Sequence, residues 1–187
     1  MNTFGKLRRG RAYVHARSFA GWSVLLLVIG CGTPTPTTTA SVPNAPSDHV
    51  TTAVVDGVVD GDTVRLRIGG KSETVRLIAI DTPETKHPTK RVECFGPEAS
   101  AFLSGLLTVK ATVRIERDVE ARDAYGRLLL YVFLRTDSGE IMVNHELVSR
   151  GFARPLSIEP NTRYQRQIVA ASFDAQQHSR GLWKHCK

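Results

Sequence analysis

The chain has 187 residues, enough for one domain, with 25 Lys and Arg against 18 Asp and Glu and a formal net charge of +7. Five of the basic residues lie before Cys31, which leaves 20 against 18 in the rest of the chain. The high charge therefore mostly reflects one terminal segment, and composition alone gives only weak support for a polyanionic partner.

The first segment carries the signals of an exported protein. Its basic residues precede an apolar run from Phe19 to Ile29, which is too short to span a bilayer as a stable helix but suits a signal peptide. The run closes on Val28-Ile29-Gly30-Cys31, which resembles the bacterial lipobox, where a small residue precedes the lipidated cysteine. An ordinary secretory signal cleaved elsewhere is the alternative. We therefore expect residues 1–30 to be a lipoprotein signal peptide and Cys31 to carry the lipid.

Residues 31–50 are rich in Thr, Pro and Ser and contain almost no aliphatic side chains. Such a segment cannot bury enough apolar surface to order itself, so we predict an extended tether between the lipid and a folded domain at 51–187. The protein would then be exported and anchored to the membrane, either at the outer face of the cytoplasmic membrane or facing the periplasm, or be released from it.

The folded part alternates apolar runs with turn residues, and this pattern predicts strands and helices in a defined order. The predicted strands are Thr51–Val59, Thr63–Ile68, Ser72–Ile80, Thr112–Arg117 and Leu128–Arg135, and the predicted helices are Pro97–Leu107, Met142–Arg150 and Arg163–His178. Five short strands with a helix between the third and fourth are typical of an OB-fold, a small Greek-key barrel. We therefore predict an α+β, mainly β domain: a five-stranded OB-fold barrel with three helices.

An arginine lies inside the third predicted strand, and carboxylates lie around the end of that strand. Burying the Arg76 guanidinium costs several kcal/mol unless an anion meets it, and the strand ends at Asp81-Thr82-Pro83. An internal salt bridge between Arg76 and Asp81 is one interpretation. The turn before the second strand adds Asp62, and Glu84 follows the proline.

These residues can also be combined into a catalytic site. If strands two and three pair, Asp62 and Asp81 converge, and a hard divalent cation with oxygen ligands would relieve their repulsion. Arg76 and Arg127 would provide a site for a tetrahedral anion, as expected where a phosphodiester is attacked. Glu84 could orient or deprotonate a water molecule.

Several separated motifs resemble the staphylococcal nuclease (thermonuclease) family over nearly all of the folded part. They include Val59-Asp60-Gly61-Asp62-Thr63-Val64, Arg76-Leu77, Asp81-Thr82-Pro83-Glu84-Thr85-Lys86-His87-Pro88, Gly96-Pro97-Glu98-Ala99-Ser100, Tyr125-Gly126-Arg127, Val143-Asn144, Gly151-Phe152-Ala153 and Gly181-Leu182-Trp183. The resemblance implies an OB-fold barrel with three helices that cleaves DNA and RNA with calcium.

The resemblance also implies a role for each site residue. Asp62 and Asp81 would be the side-chain ligands of Ca²⁺, with the carbonyl oxygen of Thr82 as a third ligand. The catalytic residues would be Arg76 and Arg127, which hold the scissile phosphate, and Glu84, the presumed general base. Tyr125 would lie against the terminal phosphate of the bound nucleotide.

The sequence departs from the family pattern at two places that contact substrate. Ala124 stands where the family often has a lysine, and the segment Pro155-Leu156-Ser157-Ile158-Glu159 has no tyrosine where well-known members have several. We single out Ser157 and Glu159 as the changed positions and expect weaker substrate binding. Tyr164, a few residues on, is a candidate to take over the aromatic contact.

The remaining cysteines and the partners complete the prediction. With Cys31 lipidated, Cys94 and Cys186 form an even pair in an exported protein, which favours a disulfide over two free thiols. We expect a monomeric calcium-dependent nuclease that acts on DNA or RNA outside the cytoplasm, with the membrane as its second partner. The alternative is a catalytically weak OB-fold module that only binds nucleic acid, for which Glu84 would not be needed.

Overall fold

The computed structural model describes residues 51–86, 89 and 91–187. The predicted signal peptide, the predicted tether and Cys31 lie outside these residues and stay predictions. Within the described ranges, none of the helices is both long enough and apolar enough to cross a membrane.

The described part of the chain contains eight strands and four helices. The strands are β1 (Thr51–Asp60), β2 (Thr63–Ile68), β3 (Lys71–Leu77), β4 (Ile80–Asp81), β5 (Thr112–Arg122), β6 (Leu128–Thr136), β7 (Gly139–Met142) and β8 (Arg154–Pro155). The helices are α1 (Gly96–Leu106), α2 (Val143–Ser149), α3 (Gln165–Gln177) and α4 (Leu182–His185). The three long helices are those predicted from the sequence, and α4 is a short addition.

Five strands close into a barrel. Strands β3, β2, β1, β5 and β6 pair with their neighbours in antiparallel order, and β3 then pairs with β6 in parallel through Val75↔Leu128 and Leu77↔Leu130. Closure removes the open edges that a flat sheet of these strands would have. The predicted five-stranded, OB-like barrel is confirmed, with β7 extending β6 as a hairpin.

The core follows the predicted alternation. In β2, Val64 and Leu66 are buried while Arg65 and Arg67 are exposed, because successive side chains of a strand point to opposite faces. In β6, consecutive residues from Leu130 to Phe133 are all buried, since α2 packs against the outer face of this strand. Helix α2 also reaches the residue after β3, because Asn144 donates a hydrogen bond to the Ile78 carbonyl at 2.9 Å.

The third predicted strand is wrong beyond Leu77. The chain turns at Ile78 and Ala79, with Ala79 in the left-handed region at φ 67°, and resumes as β4 at Ile80. The turn lets the carbonyl oxygens of Leu77 and Ile80 accept hydrogen bonds from the Arg76 guanidinium, at 2.7 and 3.0 Å. A continuous strand would point these carbonyls at neighbouring strands, so the buried arginine supplies the physical reason for the break.

Helix α1 starts against the segment that follows β4. A Cβ atom at Gly96 would lie 2.9 Å from the carbonyl oxygen of Pro83 and 2.7 Å from the Thr85 side chain, so glycine permits this close approach. The C-terminal end of the domain is fixed in a similar way, because Leu182 donates a backbone hydrogen bond to the Gly151 carbonyl at 2.8 Å. The start of α1 and the C-terminal end both lie close to the segment after β4, because Cys94 and Cys186 line one pocket with Asp81.

Candidate active site

Arg76 is the centre of the site. Its Nη2 atom lies 3.0 Å from Asp62 Oδ2 and 2.9 Å from Asp81 Oδ1, while Nη1 donates to the two carbonyls described above. The guanidinium is largely buried, and both carboxylates offset its charge. The structure thus contains the Arg76–Asp81 salt bridge of the plainer interpretation, and it also brings Asp62 to the same nitrogen.

Asp62 is held by the turn between β1 and β2. Its Oδ2 atom accepts hydrogen bonds from the backbone N–H of Thr82 at 3.1 Å and from the Thr82 hydroxyl at 3.0 Å, and Oδ1 accepts from the Thr63 hydroxyl. A Cβ atom at Gly61 would lie 2.7 Å from Thr82 Oγ1, so the glycine allows the turn to reach the end of β4. The side chain is buried and its orientation is fixed.

Asp81 faces solvent and lies among other carboxylates. Its side chain is 57% exposed. Partial burial raises the pKa of Asp81, Arg76 works in the opposite direction, and the nearby charges of Asp62, Glu93 and Glu84 raise it further. The site therefore has more negative than positive charge on its open side, which a bound cation would reduce.

Glu84 lies beside Asp81, with its carboxylate turned toward its own loop. Its Oε1 atom accepts hydrogen bonds from the backbone N–H groups of Thr85 at 2.9 Å and Lys86 at 2.7 Å. In the described part of the chain, no hydrogen bond or ion pair joins Glu84 to Arg76 or Arg127. The structure thus places Glu84 near the metal-ligand candidates and not against the arginines.

Arg127 is oriented by Asp123, a residue that the sequence analysis missed. Asp123 Oδ1 accepts from the backbone N–H groups of Tyr125 at 3.0 Å and Arg127 at 2.9 Å, and Oδ2 accepts from Arg127 Nε at 2.7 Å. The signal was present as an aspartate four residues before the arginine in a turn that contains glycine. Tyr125 is 85% exposed, and its ring centre lies 5.4 Å from the Arg127 guanidinium carbon.

A cavity of about 370 Å³ joins the two arginines. Arg76, Arg127 and Tyr125 line it together with apolar side chains from β3, β6 and the segment after β8. In that segment, Leu156 and Ile158 line the cavity, whereas Ser157 and Glu159 do not. Leu156 and Ile158 are therefore the residues of this segment that face the cavity, and Ser157 and Glu159, which the sequence analysis singled out, do not.

Tyr164 is not available to the cavity. Its hydroxyl donates to Glu116 Oε2 at 2.7 Å, and its ring packs edge-on against Tyr131 with centres 4.7 Å apart. The side chain belongs to the rim of the core, so the expectation that Tyr164 could take over the aromatic contact is wrong.

The donor set next to Arg76 fits a hard cation. Asp62 and Asp81 converge on one guanidinium nitrogen, and the Thr82 backbone follows directly. Across the described residues, no three His, Cys, Asp or Glu side chains come together in a way suited to a metal ion. An ion held here would therefore rely on two carboxylates, a backbone carbonyl and water, a mixture of oxygen ligands that Ca²⁺ accepts.

Cys94 and Cys186 form a disulfide with Cα atoms 5.8 Å apart. The bridge joins the residue two positions before Gly96 to the end of α4. It lies next to Asp81 and Thr82, because these residues and the two cysteines line one small pocket.

Comparison with known proteins identifies the family of the chain. Residues 74–185 match the family model described as staphylococcal nuclease homologue. A thermonuclease of Staphylococcus hyicus is 40% identical over 128 residues, which cover 68% of this chain and 73% of the relative. A thermonuclease of Staphylococcus intermedius is 40% identical over 70% of this chain and 75% of its own, and endonuclease YncB of Bacillus subtilis is 36% identical over 69% and 60%. The chain belongs to the staphylococcal nuclease family.

Proposed function

We propose that this protein is a calcium-dependent nuclease that hydrolyses phosphodiester bonds of DNA, RNA or both. The observation that supports the proposal most is the convergence of Asp62 and Asp81 on Arg76, which lines a cavity together with Arg127. The relatives named thermonuclease and endonuclease point to the same class of reaction.

The two arginines would bind the scissile phosphate. Arg76 contributes a guanidinium already desolvated and fixed by the Leu77 and Ile80 carbonyls, and Arg127 contributes one fixed by Asp123. Donors that are oriented before the substrate arrives stabilise the charge that develops on the phosphoryl oxygens. The Arg76 contacts with Asp62 and Asp81 would weaken as the phosphate takes over the same nitrogen.

Asp62, Asp81 and the Thr82 carbonyl would hold the cation. Bound Ca²⁺ supplies positive charge next to the phosphate and lowers the cost of bringing a dianionic transition state to carboxylates. Asp62 and Asp81 would be the residues that hold this cation, and Arg76, which contacts both carboxylates, would also lie within reach of the phosphate.

Glu84 would act as the general base. The backbone N–H groups of Thr85 and Lys86 both donate to Glu84 Oε1, and these bonds hold the carboxylate in one orientation. Oε2 would then be the atom that accepts the proton of the attacking water. Tyr125 would contact the terminal phosphate, and the sugar and base would enter the cavity past Leu156 and Ile158.

The proposal includes location and assembly. We infer an exported monomer held at the membrane by a lipid on Cys31, because the sequence before Cys31 has the pattern of a lipoprotein signal. The disulfide supports an oxidising compartment, since such bonds are rare in the cytosol.

A hydrolysis assay tests the proposed function. The purified full chain is incubated with DNA and with RNA, in calcium and then in chelator, next to Glu84→Gln and the matched variant Glu98→Gln, whose carboxylate is exposed on α1. We expect cleavage with calcium, loss of cleavage in chelator, and a large loss of turnover only in Glu84→Gln. Binding without cleavage in the wild type would reject the enzyme and favour the nucleic-acid-binding module.

A further inference from the structure

Glu84 is joined to Glu93 by a reciprocal pair of hydrogen bonds. The backbone N–H of Glu84 donates to Glu93 Oε2 at 3.2 Å, and the backbone N–H of Glu93 donates to the Glu84 carbonyl oxygen at 2.9 Å. One residue thereby fixes the main chain of the proposed general base: the Glu93 side chain binds the Glu84 amide, and the Glu93 backbone amide binds the Glu84 carbonyl group.

Several contacts hold the residues after Glu93 in place. Cys94 is bonded to Cys186. The Phe95 ring stacks on Phe152, with centres 5.4 Å apart, and on His185, with centres 5.6 Å apart. The Gly96 amide then donates to the Glu93 carbonyl at 3.1 Å. Glu93 is thus the first residue of a short segment whose position depends on the C-terminal end of the domain.

The C-terminal end is itself anchored to the loop that follows α2. Leu182 is buried, and its backbone N–H donates to the carbonyl oxygen of Gly151, two residues beyond the end of α2. The Cys186 N–H donates to the Leu182 carbonyl at 2.9 Å. The disulfide therefore connects the Glu93 segment to a fixed point on the domain.

We propose that Glu93 is a positioning residue for Glu84 and that the Cys94–Cys186 disulfide keeps Glu93 in place. This inference rests on the proposed function, in which Glu84 accepts a proton from water. A general base must lie within hydrogen-bond reach of that water, and a displacement of about 1 Å can cost on the order of a hundredfold in rate. The disulfide thereby acts on turnover as well as on stability.

Two substitutions of Glu93 distinguish its role as a hydrogen-bond acceptor from the effect of its charge. In Glu93→Ala the Glu84 amide loses its acceptor, and we expect kcat to fall about tenfold or more, with a much smaller change in KM. Glu93→Gln keeps an oxygen at this position without the charge, so it should retain most of the wild-type kcat. Glu98→Gln, at an exposed carboxylate on α1, is the control for removal of a nearby charge.

Opening the disulfide should produce the same loss. A dithiol such as dithiothreitol transfers two electrons and two protons to the Cys94–Cys186 bond, giving two thiols, and itself becomes a cyclic disulfide. We expect kcat to fall about tenfold in the reduced wild type and in Cys94→Ser/Cys186→Ser, at a temperature where both are folded. The double variant should not respond to the dithiol.

Hydrogen exchange supplies a readout that does not depend on activity. The Glu84 amide should exchange faster in Glu93→Ala and in the double serine variant than in the wild type, while amides in β2 keep their rates. A wild-type kcat in Glu93→Ala or in the double variant would overturn the inference, as would Glu93→Gln as slow as Glu93→Ala, or an unchanged Glu84 exchange rate. If the variants show these exchange rates but the wild type does not hydrolyse nucleic acid, the proposed function is rejected instead.

Discussion

At the scale of single residues, Arg76 has two roles. In the structure it offsets the charges of Asp62 and Asp81 through one nitrogen, and in the proposed reaction the same nitrogen turns to the phosphate. A cation bound by the same two carboxylates would also offset their charge. The proposed calcium binding should therefore depend strongly on the buried carboxylate of Asp62.

Asp62→Asn tests this dependence. The amide oxygen can still accept the Thr82 hydrogen bonds, so the fold should persist, but one of two carboxylate ligands is lost. We expect the calcium affinity, measured by calorimetry on the full chain, to fall roughly tenfold or more. Asp137→Asn removes an exposed carboxylate in the turn between β6 and β7 and should bind calcium as the wild type does. Equal affinities for the two variants would contradict the assignment of Asp62.

At the scale of elements, α2 supports the active-site turn through one buried side chain. Asn144 accepts a hydrogen bond from the Val132 amide at 3.0 Å and donates to the carbonyl oxygens of Ile78 at 2.9 Å and Leu130 at 3.3 Å. It thus joins β6 to the turn between β3 and β4, and the carbonyls on either side of this turn, those of Leu77 and Ile80, orient Arg76. The asparagine appeared in the sequence only as part of a family motif, and the structure gives it this physical role.

Asn144→Ala should be strongly destabilising. The change leaves one amide and one or more carbonyl groups buried without a partner, which we expect to cost about 3 kcal/mol or more in the free energy of unfolding. Guanidinium chloride unfolding of the full chain measures it, with Gln167→Ala on the exposed side of α3 as control. A loss no larger than that of Gln167→Ala would show that the three hydrogen bonds do not hold the turn.

The segment after β8 provides the test of substrate affinity. Ile158 lines the cavity beside Tyr125, and Ser157 does not. Because base stacking on an aromatic ring is worth roughly 1–3 kcal/mol, Ile158→Tyr should lower KM for a short oligonucleotide several-fold with little change in kcat. Ser157→Tyr is the matched control and should leave KM unchanged. The reverse result would restore the interpretation based on sequence alone.

At the scale of the whole molecule, the proposed membrane anchor rests on one cysteine. If Cys31 carries a lipid, the wild-type protein should fractionate with membranes. Cys31→Ser should therefore appear in the soluble fraction when cells are broken and separated by centrifugation. A Cys31→Ser protein that stays with the membranes would contradict the lipid anchor.

The barrel could be predicted because its signals are local. The alternation of Val64 and Leu66 with Arg65 and Arg67 placed β2 within its observed bounds, and the motifs around Asp62 and Arg127 named most of the site. Pairing of β2 with β3 then follows from a short turn of glycines.

The remaining features depend on contacts between distant residues. The alternation of apolar residues predicted a third strand that continues through Ala79. Nothing in the sequence shows that the Arg76 guanidinium donates hydrogen bonds to the Leu77 and Ile80 carbonyls. In the segment after β8, the pairing of β4 with β8 sets which side chains face the cavity, and sequence spacing does not reveal this pairing. Glu93 was missed for the same reason, because its link to Glu84 spans nine residues.

The most direct test of phosphodiester hydrolysis at this site is the turnover number of Arg127→Ala on DNA at saturating calcium. Arg67→Ala removes a guanidinium from an exposed ion pair with Asp56 and is the matched control. Loss of a group that stabilises the transition state should lower kcat by on the order of 10²–10³ in Arg127→Ala, while Arg67→Ala keeps the wild-type value. Cleavage by Arg127→Ala at the wild-type rate would contradict the assignment of this cavity as the active site.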